Sequence, residues 1–150
     1  MDKLKESVFS YIEAHRDEMV LLLKKLIQID TQVPPGLNYD TICGVLAERF
    51  QSLGCEVQIH NAPEKYLKLQ GAEIMGLKGP RSNVVVRYRG KKGTPVLHAS
   101  AHIDTAAIQK EGWTVDPLGG EVTIDNPYGR SAFDRGNGYV WGRGANDDKG

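Results

Sequence analysis

The chain has 150 residues, enough for one domain burying roughly 70% of its extended surface. Its 19 Lys and Arg balance 19 Asp and Glu, and neither end carries a block of like charge, which disfavours a nucleic-acid arm or an acidic tail. The start, MDKLKESVFSYIEAHRDEM, is charged throughout and no stretch approaches the ~20 apolar residues of a membrane span, so the expectation is a soluble cytoplasmic protein.

Leu4, Val8, Tyr11, Ile12, Met19, Leu22, Leu23, Leu26 and Ile27 recur at helical spacing, which predicts a long amphipathic helix with a break near His15. Pro34 and Pro35 end it, because proline cannot continue a helix and pushes the residue before it towards extended geometry. A second helix starts near Asn38 or Asp40, with Ile42, Val45, Leu46, Phe50 and Leu53 on its face and Gly54 where a left-handed cap is wanted. CEVQIH alternates like a strand. The stretch from Asn61 to Ser82 is mostly loop, since Gly71, Gly76, Gly79 and Pro80 break any long period. Cys43 and Cys55 form neither a metal-binding pair nor a disulfide framework and read as reduced thiols.

NVVVRYR and PVLHASAH are the two best strands, joined by GKKGT and expected to pair antiparallel. GWTVDPLGG is turn-rich, EVTI a short strand, DNPYGRSAFDRGNG a loop and YVWGRG another short strand. This order predicts an α/β fold, a mixed sheet flanked by helices.

In a strand, His98, Ser100, His102 and Asp104 share one face, with the last pair at the strand exit. A carboxylate beside a metal-binding imidazole fixes its tautomer and raises its basicity. A His-x-Asp alone is nevertheless more often a plain hydrogen-bonded pair. WGRGANDDKG supplies a second signal, because the adjacent carboxylates of Asp147 and Asp148 repel unless a cation or strong donors compensate them. Helix capping by Asn146, Asp147 and Asp148 explains that segment equally well.

Four stretches, LIQIDTQVPPG, LAERFQSLGCEV, AHIDTAAIQKEGWTVDP and YVWGRGANDDKG, together resemble the dizinc metallohydrolases of the acetylornithine deacetylase, succinyl-diaminopimelate desuccinylase, aminoacylase and carboxypeptidase G family. The most specific piece is Gly-Arg-Gly-x-x-Asp-x-Lys-Gly. The resemblance implies the N-terminal part of a zinc-peptidase-like catalytic domain over residues 1–150. His102 would bind one zinc, Asp147 would bridge both, and Asp104 would orient the site and support catalysis. It also implies two Zn2+ per active site, with Co2+ or Mn2+ as substitutes, a cis peptide between Asp147 and Asp148, and a homodimer. Trp113, Asp116 and Pro117 match a loop of the family and read as a packed turn; Arg143 and Lys149 read as structural. The chain departs from the family at Ala101, where glycine is usual, at Thr105, Ala106 and Ala107, and in the spacing of 45 residues between His102 and Asp147.

The family's paired glutamates, which include the general base, and its further acidic and histidine ligands have no counterpart in the sequence. His15, His60 and His98 do not replace them. The 150-residue chain itself is therefore expected to be inactive alone. The implied activity is metal-dependent hydrolysis of amide bonds in N-acyl amino acids, of the acetylornithine or succinyl-diaminopimelate type. A carnosine-type dipeptidase is the near alternative. A non-catalytic remnant acting as a binding module is the alternative from another class.

Overall fold

The computed structural model describes residues 3–69, 71–91, 96–124 and 138–150. They form a mixed α/β structure in the order α1 (Lys3–Ala14), α2 (Arg16–Ile27), β1 (Gln32–Val33), α3 (Tyr39–Ser52), β2 (Glu56–Asn61), α4 (Glu64–Leu69), β3 (Ser82–Arg87), β4 (Thr105–Ala106), β5 (Glu121–Thr123) and β6 (Tyr139–Trp141). The expected helix break falls at His15, whose Nδ1 donates to the Tyr11 carbonyl at 2.8 Å and whose ring stacks on Tyr11. No described residue of α1 is buried. Burial begins with Leu26 and Ile27 at the far end of α2.

The core centres on α3, which lies against β2 and β3 and contributes Tyr39, Ile42, Cys43 and Ala47 to the interior. Ile27 and Ile42 are fully buried, each worth about 1.5–3 kcal/mol relative to exposure. Gly54 has φ +79° and ends this helix, as its position predicts, in the left-handed region that costs glycine nothing. Cys43 is buried and Cys55 half-buried, both reduced. Burial, with the nearby Asp40 carboxylate adding to it, pushes the Cys43 thiol up.

The strands depart from the expected pairing. β2 and β3 pair antiparallel from Glu56 opposite Arg87 to Asn61 opposite Ser82, with α4 between them in a stretch read as loop. β1 pairs parallel with β4, and β5 antiparallel with β6, so the described strands form three two-stranded sheets instead of one mixed sheet. PVLHASAH is not a strand at its described positions, 96–102. Val96 and Leu97 remain 83% and 91% exposed. An alternating apolar pattern makes a strand only where a neighbouring edge accepts its hydrogen bonds, and a cleft separates β3 from residues 101–104. The expected link at Lys92–Thr94 and nearly all of the expected loop DNPYGRSAFDRGNG lie outside the described residues.

The junction after α2 organises the rest. Thr31 is fully buried; its hydroxyl donates to the Ile103 carbonyl at 2.7 Å, and its own carbonyl accepts from the Thr105 amide at 3.1 Å. Lys149 reaches back to the same place, donating from Nζ to the carbonyls of Leu26 and Ile29 at 2.8 and 2.9 Å. The Ile29 carbonyl lies just past the end of α2, where helical partners run out, and the Leu26 carbonyl also accepts from the Ile29 amide at 3.3 Å. Burial lowers the Lys149 ammonium to about 8, against the opposing pull of Asp30.

Candidate metal centre

Two loops anchored on that junction meet at His102. One is the segment just before β4, fixed through Ile103 and Thr105 by Thr31. The other follows β6 and is held by the Lys149 ammonium and by the Arg143 amide, which donates to the Pro117 carbonyl at 2.7 Å. The two glycines around Arg143 allow this approach. A Cβ on Gly142 would clash with Ile27 Cγ2, and one on Gly144, at φ +83°, would sit 2.6 Å from Thr105 Cγ2. The Gly-Arg-Gly pattern is thus a packing requirement of the loop against α2 and β4.

His102 presents its two ring nitrogens to different partners. Nδ1 lies 2.9 Å from the main-chain carbonyl of Asp104 and 3.4 Å from that residue's Oδ1. A carbonyl can only accept, so Nδ1 carries a proton; Nε2 is then the nitrogen that a metal ion would take, on loss of any proton it shares with the carboxylates facing it. Nε2 lies 3.0 Å from Asp147 Oδ1 and 3.7 Å from Asp148 Oδ2. The Asp104 carbonyl bond does most to raise the His102 pKa; desolvation opposes it, and the Asp147, Asp148 and Asp104 carboxylates raise it further. The peptide between Asp147 and Asp148 is cis, as the family resemblance implies.

His102, Asp147 and Asp148 each offer one atom, and these atoms lie within 4.8 Å of one another. Tetrahedral zinc with bonds of about 2.0–2.1 Å has ligand atoms about 3.3 Å apart. The separations of 3.0 and 3.7 Å around Nε2 bracket that value, and an imidazole with carboxylates is a donor set zinc accepts. The geometry therefore fits an ion.

Of the residues singled out in the sequence, His102 and Asp147 come together, and Asp104 lies beside the imidazole. Asp148, whose charge the sequence flagged without giving it a role, joins the cluster. His15 and His60 do not: His15 is bound to Tyr11 and His60 Nε2 lies 3.2 Å from Gln58 Oε1. His98, exposed on the segment that forms no strand, is also outside it. Trp113 lies under the Arg143 guanidinium, 5.3 Å from ring centroid to Cζ. Asp116 Oδ1 accepts from the Leu118 amide at 2.9 Å, so this stretch is a packed turn holding the second loop.

Next to His102 opens a cleft of ≈370 Å³, bordered by Tyr39, Arg81, Asn83, His102 and Asp104. The Arg81 guanidinium lies 4.8 Å over the Tyr39 ring and donates to the Gly36 carbonyl and, at 3.0 Å, to that of Pro35. Burial raises the Tyr39 pKa, Asp104 adds to the shift and Arg81 counters it. No spacing in the sequence marked Tyr39 or Arg81, because they reach the cleft from a helix start and a strand start 42 residues apart.

The chain is similar to three curated hydrolases. It is 28% identical over 154 residues to Beta-Ala-His dipeptidase of Rattus norvegicus, covering 97% of this chain and 27% of the relative. It is 28% identical over 153 residues to N-formyl-4-amino-5-aminomethyl-2-methylpyrimidine deformylase of Bacillus subtilis, covering 100% of this chain and 29% of the relative. It is 29% identical over 157 residues to Beta-Ala-His dipeptidase of Homo sapiens, covering 98% of this chain and 27% of the relative. The chain thus spans less than a third of the length of each. No protein-family model matches it, and no solved structure matches it. Among the described residues, no helix is long and apolar enough to cross a membrane.

Proposed function

We propose that residues 1–150 supply the N-terminal part of the catalytic domain of a metal-dependent hydrolase that cleaves amide bonds in small N-acyl amino acids or dipeptides. The observation that carries this reading is the convergence of two carboxylates on His102 Nε2, at 3.0 and 3.7 Å, while Nδ1 is tied to the Asp104 carbonyl. In this reading His102 and Asp147 would hold zinc, Asp147 serving both ions as the family resemblance implies, and Asp148 would be a further donor. Cobalt or manganese would suit the same atoms. When bound, the metal polarises a substrate carbonyl and lowers the pKa of a water to near ~7. Asp104 holds the imidazole and adds negative charge beside it. A catalytic zinc takes about three protein ligands and leaves a position open, so two ions need donors beyond His102, Asp147 and Asp148. These donors, the general base and a homodimer contact belong, in this proposal, to parts of the protein outside these residues.

Deacylation of the acetylornithine or succinyl-diaminopimelate type is one version of the chemistry, and similarity to a deformylase favours it. Similarity to two Beta-Ala-His dipeptidases favours dipeptide cleavage. A panel of N-acetyl, N-succinyl and N-formyl amines beside β-alanyl dipeptides, assayed with zinc on the full-length protein, separates the two. Zinc affinity measured against a competing chelator tests the centre itself: His102→Ala and Asp147→Ala should each weaken it at least about tenfold. Unchanged affinity in both variants would overturn the metal reading. Tight zinc binding with no hydrolysis of any member of the panel would favour the binding module instead.

A further inference from the structure

Residues 29–31 hold both halves of the candidate centre. The Thr31 hydroxyl and carbonyl fix Ile103 and Thr105, on either side of Asp104, so the His102 segment is set from Thr31. The other half is set from two residues earlier, where the Ile29 carbonyl, together with that of Leu26, accepts from Lys149 Nζ at 2.9 and 2.8 Å. Lys149 follows two aspartates directly, yet among the described residues its half-buried ammonium forms no ion pair with a carboxylate. Of its three N–H donors, the two that are placed go to neutral carbonyls of another part of the chain. An ammonium withdrawn from water in this way is compensated by hydrogen bonds, and those bonds fix where it lies.

The loop that ends at Gly150 is closed on itself: the Ala145 amide donates to the Gly142 carbonyl and the Lys149 amide to the Gly144 carbonyl, each at 3.2 Å. Anchoring Lys149 therefore anchors the turn that carries Asp147 and Asp148. That turn meets the other loop through Asp148, whose Oδ2 accepts from the His102 main-chain amide at 3.2 Å. The carboxylates of Asp104, Asp147 and Asp148 gather round one imidazole, and like charges so placed repel one another. Repulsion drives the turn away from His102 unless something holds it. We propose that Lys149 is a positioning residue of the centre: through the carbonyls of Leu26 and Ile29 it holds Asp147 and Asp148 against His102 before a divalent cation arrives. Preorganisation of this kind raises affinity, because less order has to be imposed when the cation binds. That the bound species is a metal rests on the function proposed above, whereas the anchoring of the carboxylates to His102 does not.

The test uses the full-length protein, with zinc affinity measured against a competing chelator and the His102 amide proton followed by NMR in the metal-free state. Lys149→Met should weaken zinc at least about tenfold, as changes to groups that orient ligands do. The His102 amide proton should move upfield as its bond to Asp148 is lost. A paired control, Val57→Ala with Val86→Ala, removes two half-buried side chains that face each other across β2 and β3 and costs comparable stability. It should change zinc affinity by less than about threefold and leave the His102 amide in place. An unchanged zinc affinity or an unmoved His102 amide in Lys149→Met overturns the proposal, and so does an equal loss in the control. If Lys149→Met does not fold, the wild-type protein gives the reciprocal readout: zinc should slow hydrogen exchange of the Lys149 ammonium at least about tenfold, and an unaltered rate overturns the proposal. A wild-type protein that binds no zinc sinks the metal reading, and the His102 amide shift in Lys149→Met then decides the anchoring by itself.

Discussion

Replacing Gly144 by alanine tests whether the loop bearing Asp147 and Asp148 is held by close packing against β4. At φ +83° a residue with a Cβ pays about 1–2 kcal/mol for the left-handed conformation. The new Cβ would meet Thr105 Cγ2 at 2.6 Å, well inside the 3.5–4.0 Å of a favourable carbon contact, and overpacking of this kind costs about 1–3 kcal/mol. Lower chain entropy in the unfolded state returns about 0.4–1 kcal/mol, leaving a net loss of about 2–4 kcal/mol. With an m-value near ~2 kcal/mol/M in urea, the midpoint should fall by about 1–2 M at unchanged slope. Thr105→Ser removes Cγ2 and costs about 1 kcal/mol on its own. In the double variant it should recover about 1–3 kcal/mol of the loss, measured as the coupling of a double-mutant cycle. A midpoint unchanged by Gly144→Ala, or a double variant whose losses simply add, would refute the packing account.

Three further outcomes follow from single contacts. Lys149→Met leaves the Leu26 and Ile29 carbonyls without their charged donor and should cost about 2–4 kcal/mol by urea unfolding; a loss below about 0.5 kcal/mol would show that water replaces the ammonium freely. Asp104→Asn keeps the main-chain carbonyl that fixes His102, so zinc affinity should fall by less than about 100-fold while kcat for the amide hydrolysis proposed above falls more steeply in the full-length protein; loss of metal binding altogether would place the carboxylate among the ligands. Cys43 and Tyr39 have raised folded pKa values, so their contribution to stability is complete below the ordinary values of 9.0 and 10.0 and declines as pH rises through the folded ones. Denaturation midpoints should therefore drop above about pH 9, with Cys55 reacting with a thiol reagent before the fully buried Cys43; equal reaction rates or an alkaline rise in stability would contradict the burial of that helix face.

Helices α1, α2 and α3 were legible from the sequence because their signals are local, whereas the six-residue α4 fell in a stretch read as loop. The break at His15, the stop before Pro34 and Pro35, the apolar face of α3 and the cap at Gly54 each depend on neighbours within a few residues. The strand character of β2, β3, β5 and β6 was legible for the same reason. Pairing was not: β3 joins β2 rather than residues 96–102, because strand hydrogen bonds are made between segments distant in the chain and no period within one segment encodes its partner. The helical pattern of α1 likewise marked a face without saying whether anything in these residues covers it. His98 and His102 share a strand face in the sequence, yet only His102 meets the carboxylates, because Thr31 and the end of α2 fix where its segment meets the Gly142–Gly150 loop. His102, Asp104 and Asp147 of the candidate centre could be singled out from residue type and local spacing. The partners of the two His102 ring nitrogens, the inclusion of Asp148 and the place of Arg81 at the border of the cleft depend on distances between remote segments, which only the tertiary packing sets.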